Sequence, residues 1–209
     1  MITHHPSDES LARLAAGTLG AGPRLVVSTH LSQCAQCLGR LRSFEAVGGA
    51  MLEEAKPVFA RPDAFARVVA RLDAPESPIP PPRALHHELP PPLNAYELGP
   101  WRFVHPGFRW RRVNLPESSD ATVIMLKVGA GRRLPHHGHS GTEYTQVLTG
   151  SFSDSFGRYR AGDLIEMDED VEHEPVADAG GECVCLTAVE GRLRLSGWIG
   201  RLLQPLVGI

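Results

Sequence analysis

His30-Leu31-Ser32-Gln33-Cys34-Ala35-Gln36-Cys37 places three soft metal ligands in one short stretch and uses half of the chain's four cysteines. A Cys-x2-Cys pair presents both sulfurs to one ion across the start of a helix. The histidine upstream reaches the same point from the preceding turn. Zinc favours tetrahedral nitrogen and sulfur ligation, so three such groups this close require a fourth. His4 and His5, just ahead of the first helical pattern, are the candidates, and His5 is preferred because it stands closer to that helix. The stretch therefore reads as the metal staple of a small helical unit.

The flanking sequence agrees. Ser7 or Asp8 can cap a first helix whose apolar positions Leu11, Leu14, Ala15 and Leu19 follow a period near 3.6, ended by Gly20-Ala21-Gly22-Pro23. A short helix is expected over 24–31 and a longer one over 34–54, with Leu38, Leu41, Phe44, Val47 and Met51 as its apolar stripe. Pro62 suits the first turn of a fourth helix carrying Phe65, Val68, Val69 and Leu72. Residues 1–73 thus form a bundle of about four helices. A core that small is thin, and a bound metal would strengthen it.

Eight of the eighteen prolines fall within 74–93, which marks 74–95 as an extended linker. From Tyr96 the pattern changes to short β-like runs at 109–113, 123–128, 144–148, 164–167 and 183–188, divided by Gly and Pro. Such spacing predicts an all-β sandwich or barrel over 96–209. The fold class expected is α+β in two domains, a small N-terminal all-α zinc-binding bundle followed by an all-β barrel.

The 209 residues are enough for one or two modest domains, and a net charge of -3 without a basic run argues against direct nucleic-acid binding. The N-terminus lacks the pattern of a secretory signal, and no apolar run is long enough for a membrane span. A cytoplasmic protein is expected. There, four cysteines bind metal or sense redox state more readily than they form structural disulfides. Cys183 and Cys185, two apart on an expected strand, face one side and read either as small core residues or as a redox-sensing thiol pair.

A second ligand cluster follows the linker. His137 and His139, two apart on a strand, point the same way into a barrel, and Glu143 adds an oxygen from the next strand. Two imidazoles and a carboxylate suit zinc, iron, manganese or nickel. His136 breaks the alternation and is left out, while His86, His87 and His105 read as solvated.

The run Gly131-x5-His137-x-His139-x3-Glu143-x6-Gly150 resembles the first cupin motif throughout. The second cupin motif is matched in part, with His173 as the fourth ligand. Asp168 and Asp170 replace its proline and glycine, and Ala177 its asparagine. A cupin jelly-roll barrel is the fold this implies. The His-x3-Cys-x2-Cys motif with an upstream histidine resembles the zinc-binding anti-sigma family, and the order of helical domain, linker and cupin is similar to its ChrR-type members. The resemblance implies zinc held by His5, His30, Cys34 and Cys37, and zinc or another divalent metal at His137, His139, Glu143 and His173. It further implies a 1:1 complex with an extracytoplasmic-function (ECF) sigma factor, released under oxidative stress by singlet oxygen or organic hydroperoxide. No catalytic residue and no organic cofactor are expected. The alternative is a cupin metalloenzyme, a dioxygenase or isomerase, carrying a structural zinc domain.

Overall fold

The computed structural model describes residues 1–72, 85–116 and 121–195. Half of the expected linker, 74–84, lies outside these. Four helices come first: α1 (Asp8–Ala15), α2 (Ala21–Leu31), α3 (Ala35–Glu54) and α4 (Ala64–Leu72). A 3-10 turn at Leu93–Ala95 leads into the strands β1 (Glu97–Leu98), β2 (Arg102–His105), β3 (Phe108–Asn114), β4 (Ala121–Val128), β5 (His137–His139) and β6 (Glu143–Thr149). The remaining strands are β7 (Ser151–Ser153), β8 (Arg158–Arg160), β9 (Leu164–Met167), β10 (Val176–Ala177), β11 (Cys183–Glu190) and β12 (Leu193–Leu195).

The Ser7 hydroxyl caps α1 by accepting the Ser10 N–H, and Asp8 and Glu9 fill the first turn, where the helix dipole favours negative charge. The helix stops at Ala15, and Gly17 turns the chain at φ +70°. The next helix begins three residues earlier than expected. Gly20 is its N-cap, and Pro23 occupies the first turn, where a missing N–H costs nothing. The segment read as a helix stop is therefore a helix start.

The main sheet runs β1-β3-β4-β11-β6-β9 with β2 against β3. Two smaller sheets, β10-β7-β8 and β12-β5, complete the barrel. Alternation along the central strands divides two environments. Ile124, Leu126, Val128, Cys185, Thr187 and Val189 line an interior cavity of about 220 Å³. Val123, Met125, Leu186 and Ala188 point outward and share one core with Leu11, Leu25, Val26 and Val27 of the helices. Eight of the eleven α2 residues are buried, because α2 packs on β4, β6 and β11 as well as on α3. The helices thus lean on the barrel rather than closing a core of their own. Gly150, at φ +73° between β6 and β7, is required by the turn, since a Cβ there would run into the Glu182 carbonyl.

The far half of α3 and all of α4 are different. Cys37 is the only residue buried along α3, and none is buried along α4. Among the described residues, no helix is long and apolar enough to cross a membrane.

Candidate metal centres

The ligand atoms of His5, His30, Cys34 and Cys37 lie within 4.8 Å of one another. Cys34 is the N-cap of α3 and makes no side-chain cap bond, which leaves its sulfur to the cluster. His5 Nδ1 sits 3.5 Å from Cys34 Sγ and 3.2 Å from Cys37 Sγ, and His30 Nε2 sits 3.4 Å from Cys37 Sγ. His30 is fully buried and donates through Nδ1 to the Gly162 carbonyl at 2.9 Å. That bond leaves Nε2 as a bare lone pair aimed at the sulfurs. Burial, with the Cys34 thiol beside it, pushes the Cys37 thiol up to about 12. Burial also lowers His30. Two soft sulfurs and two imidazoles, largely enclosed and converging, fit one tetrahedral cation. His4 is turned away, with Nδ1 3.3 Å from Asp163.

The second cluster comprises His137, His139, Glu143 and His173, all buried and again within 4.8 Å. His137 and His139 share a face of β5, whose antiparallel register with β12 sets His137 opposite position 195 and His139 opposite position 193. Glu143 opens β6. His173 lies between β9 and β10, where a backbone bridge ties it to His137 rather than placing it in a regular strand. His137 donates through Nδ1 to the Pro135 carbonyl at 2.7 Å, and His173 donates through Nδ1 to Asp154 at 3.0 Å. Their unprotonated Nε2 atoms then face each other at 3.1 Å. Two lone pairs at that distance repel unless a cation lies between them. His139 Nε2 and Glu143 Oε2 approach to 2.6 Å, yet among the described residues neither His139 nitrogen has a partner in hydrogen-bonding geometry. Burial works to raise the Glu143 carboxyl, but the surrounding imidazoles, His139 foremost, hold it at about 2. Burial lowers His137, against the raising effect of Glu143. The donor set fits a divalent ion, with Thr145 holding the other Glu143 oxygen at 2.6 Å.

Cys183 and Cys185 are reduced and buried on the cavity side of β11, their sulfurs 3.7 Å apart. The register between β11 and β6 shifts between Val184 and Cys185. Both cysteines line the same cavity as His137, Glu143 and His173. His136 is exposed and faces Glu172, as the broken alternation implied. His105 departs from expectation. It is half-buried at the cavity wall, its ring centroid 5.6 Å from that of Phe108. Asp154, Thr145, Gly162 and Asp163 were not foreseen. Asp154-Ser155-Phe156-Gly157 does read as a turn, and Asp154 caps it by accepting from the Phe156 and Gly157 N–H groups. Its second oxygen reaches His173 only through the folded chain.

Residues 95–191 match the family described as the ChrR cupin-like domain. The sequence is 39% identical over 209 residues to the anti-sigma-E factor ChrR of Cereibacter sphaeroides, covering 98% of this chain and 97% of that one. The crystal structure of Rhodobacter sphaeroides SigE in complex with the anti-sigma ChrR superposes with a TM-score of 0.75 at 38% identity, covering 90% of this chain and 99% of the matched one.

Proposed function

Because this chain belongs to the family of ChrR anti-sigma factors, we propose that it is a cytoplasmic regulator that sequesters an ECF sigma factor in a 1:1 complex and frees it under oxidative stress. One observation carries this reading. Val47, Met51, Leu52, Val58, Phe59, Phe65, Val68, Val69 and Leu72 are all exposed, within two helices and the loop between them. Phe65, Val68, Val69 and Leu72 follow the spacing of a single helix face, and α4 buries none of them. An amphipathic helix with its apolar stripe in water is complementary to a partner's groove. Sequestration by covering a surface needs no turnover, which suits a regulator rather than an enzyme.

His5, His30, Cys34 and Cys37 would hold zinc in a closed site with no open position, so its contribution is structural. It would fix the His5 segment and α2 against the start of α3, from which the apolar surface extends. His137, His139, Glu143 and His173 would hold zinc or another divalent metal in the barrel. Beside it, the Cys183 and Cys185 thiols can give up two electrons and two protons to an organic hydroperoxide, forming a disulfide, an alcohol and water. Closing the sulfurs from 3.7 Å to the roughly 2.05 Å of a disulfide would pull on β11, which pairs with β6, the strand that begins at Glu143. Release requires that this strain act differently on the bound and free states.

Co-expression with an ECF sigma factor from the same genome tests the reading. The wild-type chain is expected to co-purify 1:1 with about two metal ions per chain, the count implied by two four-ligand sites. Cys34→Ala and Cys37→Ala are expected to lose the complex. Cys183→Ser with Cys185→Ser should keep the complex and lose its dissociation by hydroperoxide. A wild-type chain that binds no sigma factor would overturn the proposal.

A further inference from the structure

Through the short turn between β8 and β9 the barrel contacts His30 of the helical cluster and the two residues ahead of His5. The Gly162 carbonyl accepts the His30 Nδ1–H at 2.9 Å. Asp163, fully buried, accepts the backbone N–H groups of Thr3 at 2.7 Å and His4 at 3.0 Å, the two residues ahead of His5. It also accepts the Arg160 N–H at 2.9 Å from the end of β8, and its oxygens lie 3.3–3.4 Å from the Thr3 hydroxyl and 3.3 Å from His4 Nδ1. The Leu164 N–H closes the bracket on the His4 carbonyl at 3.1 Å. Gly162 has φ +96°, and a Cβ there would meet Ile2 at 2.7 Å, so the N-terminal segment is seated directly on the turn. The same strand, β9, pairs Met167 with Glu143 of the barrel cluster at its other end.

We propose that Gly162 and Asp163 are positioning residues for the helical metal site, so that a turn of the barrel sets part of that site's affinity. Gly162 holds the His30 ring by the nitrogen that does not face the sulfurs. Asp163 holds the backbone that delivers His5. Partners of this kind orient metal-bound imidazoles and account for about 10–100-fold in affinity in known sites. The proposal rests on the reading of His5, His30, Cys34 and Cys37 as a metal site.

The test is a cobalt(II) titration of the full chain, freed of metal, followed by zinc competition. Thiolate-to-cobalt absorption reports the site with two cysteines apart from the barrel site. Asp163→Ala is expected to weaken zinc at the thiolate site about 10–100-fold and to leave the barrel site unchanged. Asp163→Asn keeps an acceptor for the Thr3 and His4 N–H groups but turns a donor toward Arg160, and should fall between. Asp178→Asn, which removes a barrel carboxylate bonded to Ser151, Ser153 and Arg158 instead, should leave the thiolate site at wild-type affinity. If Asp163→Ala does not fold, Asp163→Asn decides: a severalfold loss supports the proposal, and wild-type affinity overturns it. Equal losses in the Asp163 and Asp178 variants would also overturn it, because they would mark a general effect of stability. A wild-type chain with no thiolate band would instead overturn the metal reading beneath it.

Discussion

Asp178 ties the three-stranded sheet together through single hydrogen bonds. Its carboxylate accepts from Ser151 and Ser153 of β7 and from Arg158 of β8. The Ser151 hydroxyl lowers the carboxyl below the ordinary aspartate range, burial opposes this, and Arg158 and Ser153 add to the lowering. A group whose folded pKa lies below its unfolded one stabilises the fold above the unfolded value and loses that contribution as pH falls through the folded one. Asp178→Asn should therefore cost about 1 kcal/mol near neutral pH, the low end for a partly solvated charge. It should also flatten the loss of stability below about pH 4. Urea unfolding at pH 7 and in the acid range reads both effects; an unchanged acid limb would count against the assignment. At this scale, legibility depends on distance along the chain. His30, Cys34 and Cys37 are neighbours in sequence, and strand alternation joins His137 to His139, so spacing exposes them. Asp163 meets Thr3 across 160 positions and Asp154 meets His173 across 19. No local pattern encodes such pairings.

At the scale of elements, the helices were readable in number and the longer strands in place, because periodicity is a local property. Where each helix would lie was not. The apolar stripe of α4 reads in sequence as ordinary core, and only the folded chain leaves it uncovered. Nor did the sequence reveal that α2 is buried nearly all round, since a helix packed between another helix and a sheet shows little one-sided patterning. Strands as short as β1, β10 and β12 carry too few residues to show alternation. The uncovered stripe yields a sharp expectation. Phe65→Asp and Val68→Asp lie on an exposed surface and should change stability by no more than about 0.5 kcal/mol. Each should weaken sigma-factor binding by about tenfold or more, since a charge must then be buried in an apolar contact. Thermal melts alongside titration calorimetry separate the two effects; a variant that melts early and binds normally would contradict the assignment.

Taken whole, the molecule has a helical end and a barrel end built on one shared core. Leu11 of α1 is in the same buried cluster as Met125, Tyr144 and Leu186 of the barrel. Removing its side chain to a methyl should cost about 2–5 kcal/mol. The loss should appear in the barrel as well, where Trp101 and Trp110 are located. In Leu11→Ala, tryptophan fluorescence and helical circular dichroism are expected to move to lower denaturant together. Two transitions that part company would show that the helices and the barrel unfold separately. Composition and motif order revealed the two halves, but their common core follows from outward-facing strand residues that match solvent-facing positions in sequence.

The uncovered apolar strip also governs how copies of the free chain behave toward one another in solution. Nine large apolar side chains facing water make encounters between like molecules attractive at short range, and a net charge of only -3 supplies little repulsion to oppose them. The osmotic second virial coefficient of the free chain is thus shifted toward attraction and that of a chain with the strip covered toward repulsion, so colloidal stability itself becomes a property of the complex rather than of the chain.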